Sequence, residues 1–250
     1  MTKVGLIGGS GLEKLNIFHN MQEITVNTPY GEPSSTLFYG TTGPCEVYIL
    51  SRHGRDHSIP PGQVNNRANI DALRTLGCHH VIATTACGSL REEIGRGDLV
   101  VADQFIDFTK HRVSTFYERF EPGVMAHAAM ADPFSEKLRS SLIEGCKAIG
   151  LQYHESGTIV TIEGPRFSTR AESRMFRQLG ADVINMSIAP EAALAREAGL
   201  QYAVVALSTD YDSWKDDEEP VTWEDVLRVF NENVKHVTGL LVHVLENFKG

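Results

Sequence analysis

Short apolar runs recur along the chain, and each is followed by glycine, by other small residues or by polar side chains. The runs at residues 4–7, 81–85 and 202–207 have the length and composition of buried strands. In an open parallel sheet, ligands bind beyond the carboxyl ends of the strands. We therefore expect an α/β protein whose functional residues follow these runs.

Two carboxylates follow the run at 202–207, within the sequence Ser208-Thr209-Asp210-Tyr211-Asp212. A carboxylate at this place accepts hydrogen bonds from an exocyclic amine, and a carboxyl group with a raised pKa donates a proton to a ring nitrogen. Asx turns also commonly follow strands. These residues alone therefore leave an alternative open, in which Asp210 caps a turn and Asp212 is solvated.

Three strand ends carry residues suited to binding an anion. Residues 8–11, Gly-Gly-Ser-Gly, follow the first run, and glycines let the backbone approach a ligand while Ser10 adds a hydroxyl. Arg52 and His53 end a predicted strand, and the planar fork of Arg suits phosphate oxygens. Thr84 and Thr85, at the end of the run at 81–85, supply hydroxyls, and the predicted turn at 86–88, Ala-Cys-Gly, supplies backbone N–H donors. Each loop alone is also explained as a tight turn, but three together favour an anion site.

Two other kinds of site are disfavoured by the spacing of residues. The dinucleotide fingerprint G-x-G-x-x-G fails because Lys14 stands where the third glycine is needed. His53 and His57 have the spacing of a helical metal pair, but Gly54 and two prolines downstream predict a loop. We therefore expect neither a nicotinamide cofactor nor a metal.

Composition limits the partners and the compartment. The net charge of −9 argues against a general nucleic-acid surface, which would need a basic face. The four cysteines include no C-x-x-C pair, which favours a reducing cytosol. The first apolar run is too short for a signal peptide, and no stretch approaches the length of a membrane span. We expect a cytoplasmic protein with no membrane or nucleic-acid partner and one domain over residues 1–250.

Hydrophobic periodicity and capping residues predict the remaining elements. Further strands are expected at 36–39, 47–50, 99–106, 158–162 and 183–186, and helices at 66–76, 134–149, 191–198 and about 223–247. A further helix, capped by Ser168 or Thr169, is expected to run to Leu179. The long irregular segment 107–133 is expected to be functional or to lie at an interface. Phe167 follows the strand at 158–162 and either stacks on a planar ligand or packs under its loop.

Several of these segments together resemble the trimeric purine nucleoside phosphorylases. The resemblance is carried by Gly8-Gly9-Ser10-Gly11, Arg52-His53-Gly54, Thr84-Thr85-Ala86-Cys87-Gly88-Ser89, Thr161-Ile162-Glu163-Gly164-Pro165-Arg166-Phe167, Asn185-Met186 and Thr209-Asp210-Tyr211-Asp212. It extends from about residue 3 to about residue 245. The Glu-Gly-Pro-Arg-Phe and Asp-Tyr-Asp segments are specific to that family, whereas the glycine loop is not.

The resemblance implies a fold, an assembly and a reaction. The fold is a mixed sheet, partly closed into a barrel and surrounded by helices, and the assembly is a homotrimer. The reaction is phosphorolysis, in which inorganic phosphate attacks C1′ of a nucleoside with inversion and the purine leaves. Phosphate is then a co-substrate, and no cofactor is implied.

The resemblance also implies roles for individual residues. Phosphate binding falls to Ser10, Arg52, His53, Thr85, Ala86 and Ser187. Substrate binding falls to Met186 at the ribose, to Phe167 and Ser168 at the base, and to Asp210, Tyr211 and Asp212 at the purine, with Asp210 and Asp212 as the catalytic pair. His127 is expected near the 5′ subsite of a neighbouring subunit.

This sequence departs from the family at the position of Trp223, where close relatives have a small aliphatic residue that lines the 5′ subsite. The preferred 5′ group is therefore open. Three rival functions also remain. They are a 6-oxopurine nucleoside or methylthioinosine phosphorylase on the same scaffold, a non-catalytic nucleoside- or phosphate-binding protein, and, disfavoured by Lys14, a nicotinamide-dependent oxidoreductase.

Overall fold

The computed structural model of the protein describes residues 1–8, 18–123, 125–218 and 222–249. Over these ranges the chain forms one mixed sheet of eleven strands with five α-helices. The strands are β1 Thr2–Gly8, β2 His19–Ile24, β3 Leu37–Thr42, β4 Cys45–Ser51, β5 His80–Ser89, β6 Leu99–Val101, β7 Gln104–Phe108, β8 Tyr153–His154, β9 Thr158–Ile162, β10 Val183–Asn185 and β11 Gln201–Tyr211. The helices are α1 Asn66–Thr75, α2 Glu136–Ala148, α3 Arg170–Gln178, α4 Ile188–Glu197 and α5 Trp223–Glu246.

Strand β5 is the branch point of the sheet. It pairs in parallel with β1 and β11, and its carboxyl end pairs antiparallel with β10. One arm runs through β1, β4, β3 and β2, a second through β10, β9 and β7, and a third through β11, β6 and β8. The three arms therefore bring several strand ends together around the carboxyl end of β5.

Both faces of the central strands are covered by helices. Along β11, Val204 and Ala206 pack into a core that includes side chains of α1 and α4. The intervening Val205 and Leu207 pack into a second core with side chains of α2 and α5. Because successive side chains of a strand point to opposite faces, this continuous apolar run fits a strand buried on both sides.

Local capping residues fix where the helices begin. The Asn65 side chain accepts from the Ala68 amide before α1. Thr169 and Glu172 form a reciprocal capping box at α3, and Thr222 accepts from the Asp225 amide at α5. Each cap satisfies a backbone donor that the first turn leaves open. These caps hold the starts of α3 and α5 beside the ends of the strands.

The fold class predicted from the family resemblance, a mixed sheet surrounded by helices, is confirmed. Several predicted elements differ in detail. The single strand expected at 99–106 is two strands, since the chain leaves β11 and β8 after β6 and pairs with β9 along β7. The turn expected at 86–88 is a continuation of β5 to Ser89, and Asp210 lies within β11 rather than after it. Helix α4 begins at Ile188, earlier than expected, and β2 and β8 were not predicted.

None of the helices formed by the described residues is both long enough and apolar enough to cross a membrane.

Candidate active site

A cavity of about 540 Å³ lies beyond the carboxyl ends of β4, β5, β10 and β11. Its lining combines strand ends with the loop after β9 and the start of α5. The predicted site residues found in this lining are Arg52, His53, Thr85, Ala86, Phe167, Ser168, Met186, Ser187, Asp210, Asp212 and Trp223. Ser10 lies outside the described residues.

Arg52 is almost fully buried at the end of β4, and its charge is compensated by Glu191 of α4. Arg52 Nε and Nη2 donate to the two carboxylate oxygens of Glu191 over 2.8 and 2.9 Å. Its Nη1 donates to the Thr84 carbonyl at 3.0 Å, and the Tyr202 hydroxyl donates to Glu191 at 2.6 Å. This fork-to-fork pairing fixes the plane of the guanidinium at the cavity wall.

A buried side-chain amide positions Thr85 and Ser187 at the same end of the cavity. Asn185 Oδ1 accepts from the Thr161 hydroxyl at 2.8 Å and from the Ser187 amide at 3.4 Å. Asn185 Nδ2 donates to the Thr85 hydroxyl oxygen at 3.4 Å. Asn185 therefore links β5, β9 and β10, and it holds Thr85 and Ser187 beside Arg52 in one lining.

His53 is held as a neutral ring. Its Nδ1 lies 2.9 Å from the Ile59 carbonyl, and since a carbonyl only accepts, Nδ1 carries the proton. Burial, reinforced by the charge of Arg52, lowers the pKa of His53 to about 4. The arginine, the hydroxyls and the neutral imidazole are groups suited to an anion, and we call this part of the cavity the anion-binding end. The charge of its Arg52 is already balanced by Glu191.

The carboxyl groups of Asp210 and Asp212 line another part of the cavity. Asp210 and Asp212 are 7% and 3% exposed. Burial raises the pKa of Asp210 to about 7, and the Asp212 carboxylate adds to the rise, whereas the 2.7 Å hydrogen bond from the Thr209 hydroxyl opposes it. Burial also raises the pKa of Asp212, although the hydrogen bond from the Ser168 hydroxyl opposes the rise. Asp210 is therefore suited to carry a proton near neutral pH.

Strand β5 sets the distance between the two parts of the site. Gly88 pairs with Asp210 across the ladder, and Thr85 lies three residues earlier on β5. At the rise of an extended strand, three residues separate these positions by about 10 Å. That length matches a ligand with an anion at one end and a hydrogen-bonding ring at the other.

The remaining lining residues supply apolar surface. Met186 packs close to Gly164, and Arg112 donates to the carbonyls of Met186 and Glu163, which joins the end of β10 to the loop after β9. Phe167 stands on that loop with 38% of its surface exposed. A planar ligand could stack on Phe167 while Met186 contacts its other parts.

Trp223 begins α5 at one side of the cavity and is 45% exposed. Its ring lies 5.3 Å from that of His57, which in turn lies 4.7 Å from His53. Leu227 and Phe230, on the following turns of α5, line the same wall. This wall is apolar and aromatic, and it adjoins the anion-binding end through the two histidines.

No group of three or more His, Cys, Asp or Glu side chains capable of holding a metal ion occurs among the residues that the structure describes.

The phosphorylase superfamily model matches residues 3–246, which is nearly the whole chain. The chain belongs to the phosphorylase superfamily. This confirms the family resemblance on which the sequence-based assignment of roles depends.

Two known proteins are similar to the chain over nearly its whole length. The S-methyl-5′-thioadenosine phosphorylase of Anopheles gambiae is 52% identical over 245 residues, covering 97% of this chain and 88% of that protein. The protein of the same name from Danio rerio is 52% identical over 243 residues, covering 96% of this chain and 86% of that protein.

Solved structures give the same picture. Methylthioadenosine phosphorylase from Schistosoma mansoni, in complex with adenine, matches with a TM-score of 0.92 and 43% identity over 98% of this chain and 91% of that one. A single-residue mutant of the Schistosoma mansoni adenosine/methylthioadenosine phosphorylase, in complex with methylthioadenosine, matches with a TM-score of 0.91 and 42% identity over the same shares.

Two predicted site residues of this superfamily member lie away from the described cavity lining. The Tyr211 ring packs against Trp214, and its hydroxyl donates to the Glu92 carbonyl at 3.4 Å. His127 is exposed and lies edge-on to the Phe120 ring at 5.4 Å, in the segment after β7.

Sequence reasoning gave no individual role to Asn185 or Glu191, although both position side chains of the site. The sequence nevertheless contains a pattern that singles out each of these two residues. Asn185 ends a short apolar strand, and Glu191 is a charged residue within the apolar stretch at the start of α4. A buried charge needs a partner, and Arg52 is that partner.

Proposed function

We propose that this protein is an S-methyl-5′-thioadenosine phosphorylase, which transfers the 5-methylthioribosyl group from adenine to inorganic phosphate. The observation that carries the proposal is the buried Asp210–Asp212 pair, about 10 Å along β5 from the hydroxyl and arginine groups of the anion-binding end. Relatives of that name at 52% identity support the choice of substrate.

Phosphate is assigned to the end of the cavity that contains Arg52 and the hydroxyls. The proposed ligands are Ser10, Arg52, His53, Thr85, Ala86 and Ser187. Because Glu191 already balances the charge of Arg52, phosphate is held mainly by directed hydrogen bonds rather than by net charge. No cofactor and no metal take part in the proposed reaction.

The purine is assigned to the Asp210 end, with Phe167 and Ser168 beside it and Met186 at the ribose. A phosphate oxygen forms a bond to C1′ as the C1′–N9 bond breaks, and the electron pair of that bond moves onto the purine. The protonated Asp210 carboxyl donates to N7 and so stabilises the developing negative charge. In the overall reaction adenine gains one proton relative to the purine of the nucleoside. Hydrogen phosphate loses one proton as it becomes a phosphate ester, so the protons balance.

Base selectivity follows from the same carboxyl group. One oxygen of a protonated Asp210 donates to N7 while the other accepts from the 6-amino group. Asp212, which accepts from Ser168, holds Asp210 or the amine in place. A 6-oxo group would place its own oxygen against the accepting oxygen of Asp210. Two acceptors cannot pair, so both buried groups would lack a hydrogen bond there.

The 5′ group is assigned to the wall formed by Trp223, Leu227 and Phe230. An apolar methylthio group suits this surface better than a hydroxyl, which would lose hydrogen bonds to water. His127 is proposed to approach the 5′ subsite of a neighbouring subunit. We assign no direct substrate contact to Tyr211, because its side chain packs against Trp214.

A homotrimer and a cytoplasmic location complete the proposal. Support for association comes from exposed apolar side chains in the same segment as His127, namely Val113, Tyr117, Phe120 and Met125, which are 43–75% exposed. Support for the compartment comes from the four free, buried cysteines. Sedimentation tests the assembly, and a monomer that remains fully active at nanomolar concentration would contradict the trimer.

The decisive experiment is product analysis with methylthioadenosine, methylthioinosine, adenosine and inosine, each with and without phosphate. We expect adenine and methylthioribose 1-phosphate from methylthioadenosine, only when phosphate is present and equally in the presence of a chelator. Purine release without phosphate, or no release at all, would contradict the function. Activity lost with chelator and restored by a divalent ion would contradict the metal-free reaction.

A further inference from the structure

One backbone carbonyl at the end of β5 joins Trp214 to the carboxyl pair. The Trp214 indole Nε1 donates to the Ser89 carbonyl at 2.8 Å, and the Asp212 amide donates to the same oxygen at 3.0 Å. The Ser89 side chain is fully buried, and its hydroxyl donates to the Arg91 carbonyl at 2.7 Å. Two donors on one well-anchored carbonyl fix the position of the chain just past Asp210.

The indole is itself held from the side of α3. The Arg177 guanidinium lies 3.6 Å from the centre of the Trp214 ring, and its Nη1 donates to the Leu90 carbonyl at 2.8 Å. A cation over an indole face is a favourable contact. Trp214 also packs against the apolar cluster that includes Ile184, and Met186 packs against the same cluster near the cavity. The orientation of the indole ring is therefore fixed by Arg177 over its face and by the apolar cluster against which it packs.

The same short segment reaches the base-binding loop. Ser213 Oγ donates to the Ser168 carbonyl at 2.9 Å, and the Ser168 hydroxyl donates to the Asp212 carboxylate. Residues 212–214 thus connect β5, α3 and the loop after β9. Trp214 is absent from the described cavity lining, so any effect on the reaction must pass through these neighbours.

We propose that Trp214 is a positioning residue for the catalytic carboxyl pair, acting through the Ser89 carbonyl that it shares with the Asp212 amide. The inference rests on the proposed function. Loss of the indole donor leaves the carbonyl with one partner and frees the segment after β11 to shift. Small shifts of reacting groups have large effects on rate, so a displaced carboxyl pair lowers catalysis and base discrimination together.

The test is Trp214→Phe, which keeps an aromatic ring for Arg177 and removes the N–H donor. We expect kcat/KM for methylthioadenosine to fall about three- to tenfold, as for one lost hydrogen bond. The KM for phosphate should stay unchanged, because the anion-binding end lies elsewhere on β5. The preference for methylthioadenosine over methylthioinosine should also decrease.

The matched control is Arg174→Ala. Arg174 lies on the same helix and holds the same segment through Asp216 at 2.8 and 2.9 Å, but both side chains are more than half exposed and neither touches Ser89. We expect wild-type kcat/KM from this variant. An equal loss in both variants, or wild-type kinetics and base preference in Trp214→Phe, would overturn the proposal.

A double variant separates positioning from general destabilisation. In an Asp212→Asn background, Trp214→Phe should have a much smaller effect on kcat/KM than in the wild type, because residues acting through one group are not additive. Full additivity would overturn the proposal. If Trp214→Phe does not fold, Arg177→Gln takes its place, with the same expected directions and the same Arg174→Ala control.

Failure of the inference and failure of the proposed function are distinguishable. Absence of phosphate-dependent purine release in the wild type contradicts the function. Release by the wild type with no specific loss in the Trp214 variant contradicts only the role of Trp214.

Discussion

Asp210 lies directly against the backbone of Gly88. A Cβ atom built on Gly88 would stand 2.9 Å from Asp210 Oδ2 and 3.3 Å from Asp212 Cβ. The absence of a side chain at this one position of β5 therefore allows both carboxyl groups to pack beside the strand. Any larger residue must displace the carboxyl pair or the strand.

Gly88→Ala is expected to lower kcat for methylthioadenosine by about tenfold to a hundredfold, because the methyl group pushes Asp210 out of line with the purine. Steady-state kinetics measure the change. Gly239→Ala is the control, since a Cβ there would meet its nearest neighbour, Ile149, at 3.8 Å. Unchanged kcat in Gly88→Ala would contradict the described packing.

The stability of the protein should depend on pH through Asp210. Its pKa is raised from 3.8 to about 7 in the folded chain, so the folded state holds this proton more tightly than the unfolded state. The contribution of Asp210 to the free energy of unfolding is therefore most favourable below about pH 4, and it declines as pH rises toward about 7. The full change is on the order of 4 kcal/mol.

Asp210→Asn removes this titration. We expect the variant to gain thermal stability over the wild type at pH 8 and to gain much less at pH 5, as measured by melting curves over that range. A gain that is the same at both pH values would show that Asp210 is not protonated in the folded protein.

The same substitution should change the choice of base. The side-chain amide that Asp210→Asn introduces donates to N7 or to a 6-oxo group, so the kcat/KM ratio of methylthioadenosine to methylthioinosine should fall by about tenfold or more. Competition assays with both substrates measure the ratio. Equal cleavage of the two substrates by the wild type would contradict the specificity while leaving phosphorolysis intact.

Arg52→Lys should mainly raise the KM for phosphate, by about tenfold or more. A lysine carries the charge but cannot pair in two places with Glu191 while reaching the Thr84 carbonyl. Initial rates at varied phosphate and saturating nucleoside measure the effect. A rise confined to the KM for the nucleoside would place phosphate elsewhere.

Trp223→Val should change the preference between methylthioadenosine and adenosine, since it removes an aromatic wall beside His57. The ratio of the two kcat/KM values is the measurement, with melting temperature followed in parallel. Glu224→Ala, at the next and exposed position of α5, is the control. An unchanged ratio with unchanged stability would mean that Trp223 only packs against the start of its helix.

The strands that the sequence predicted best are those buried on both faces. Runs such as 202–207 are apolar at every position, because α1 and α4 cover one face and α2 and α5 cover the other. Strand β2 was missed because its side chains are largely exposed and carry no apolar period. The extension of β5 through small residues was missed because such residues equally suit a turn, and only pairing with β10 and β11 keeps them extended.

Within the site, residues at strand ends could be found from sequence because parallel strands bring their carboxyl ends to one edge. The partners that orient them could not be assigned in the same way. Glu191 is 139 positions from Arg52, and Trp214 is 125 positions from Ser89. No local sequence pattern predicts that either pair is in contact. The direction of the Tyr211 side chain likewise follows a register shift between Ser208 and Asp210 in β11, which no local sequence pattern predicts.

The branching of the sheet at β5 bears on how the protein moves. Strand β5 pairs with β1 near its start, with β10 near its end and with β11 along its length, so it has neighbours on both edges. Its amide hydrogens should exchange with solvent only when the whole fold opens, whereas those at the start of α5 exchange through local fraying. We therefore expect Thr85 and Gly88 to keep a constant separation during fast fluctuations. If the proposed 5′ subsite adapts to groups of different size, we expect the change in the surface around Trp223.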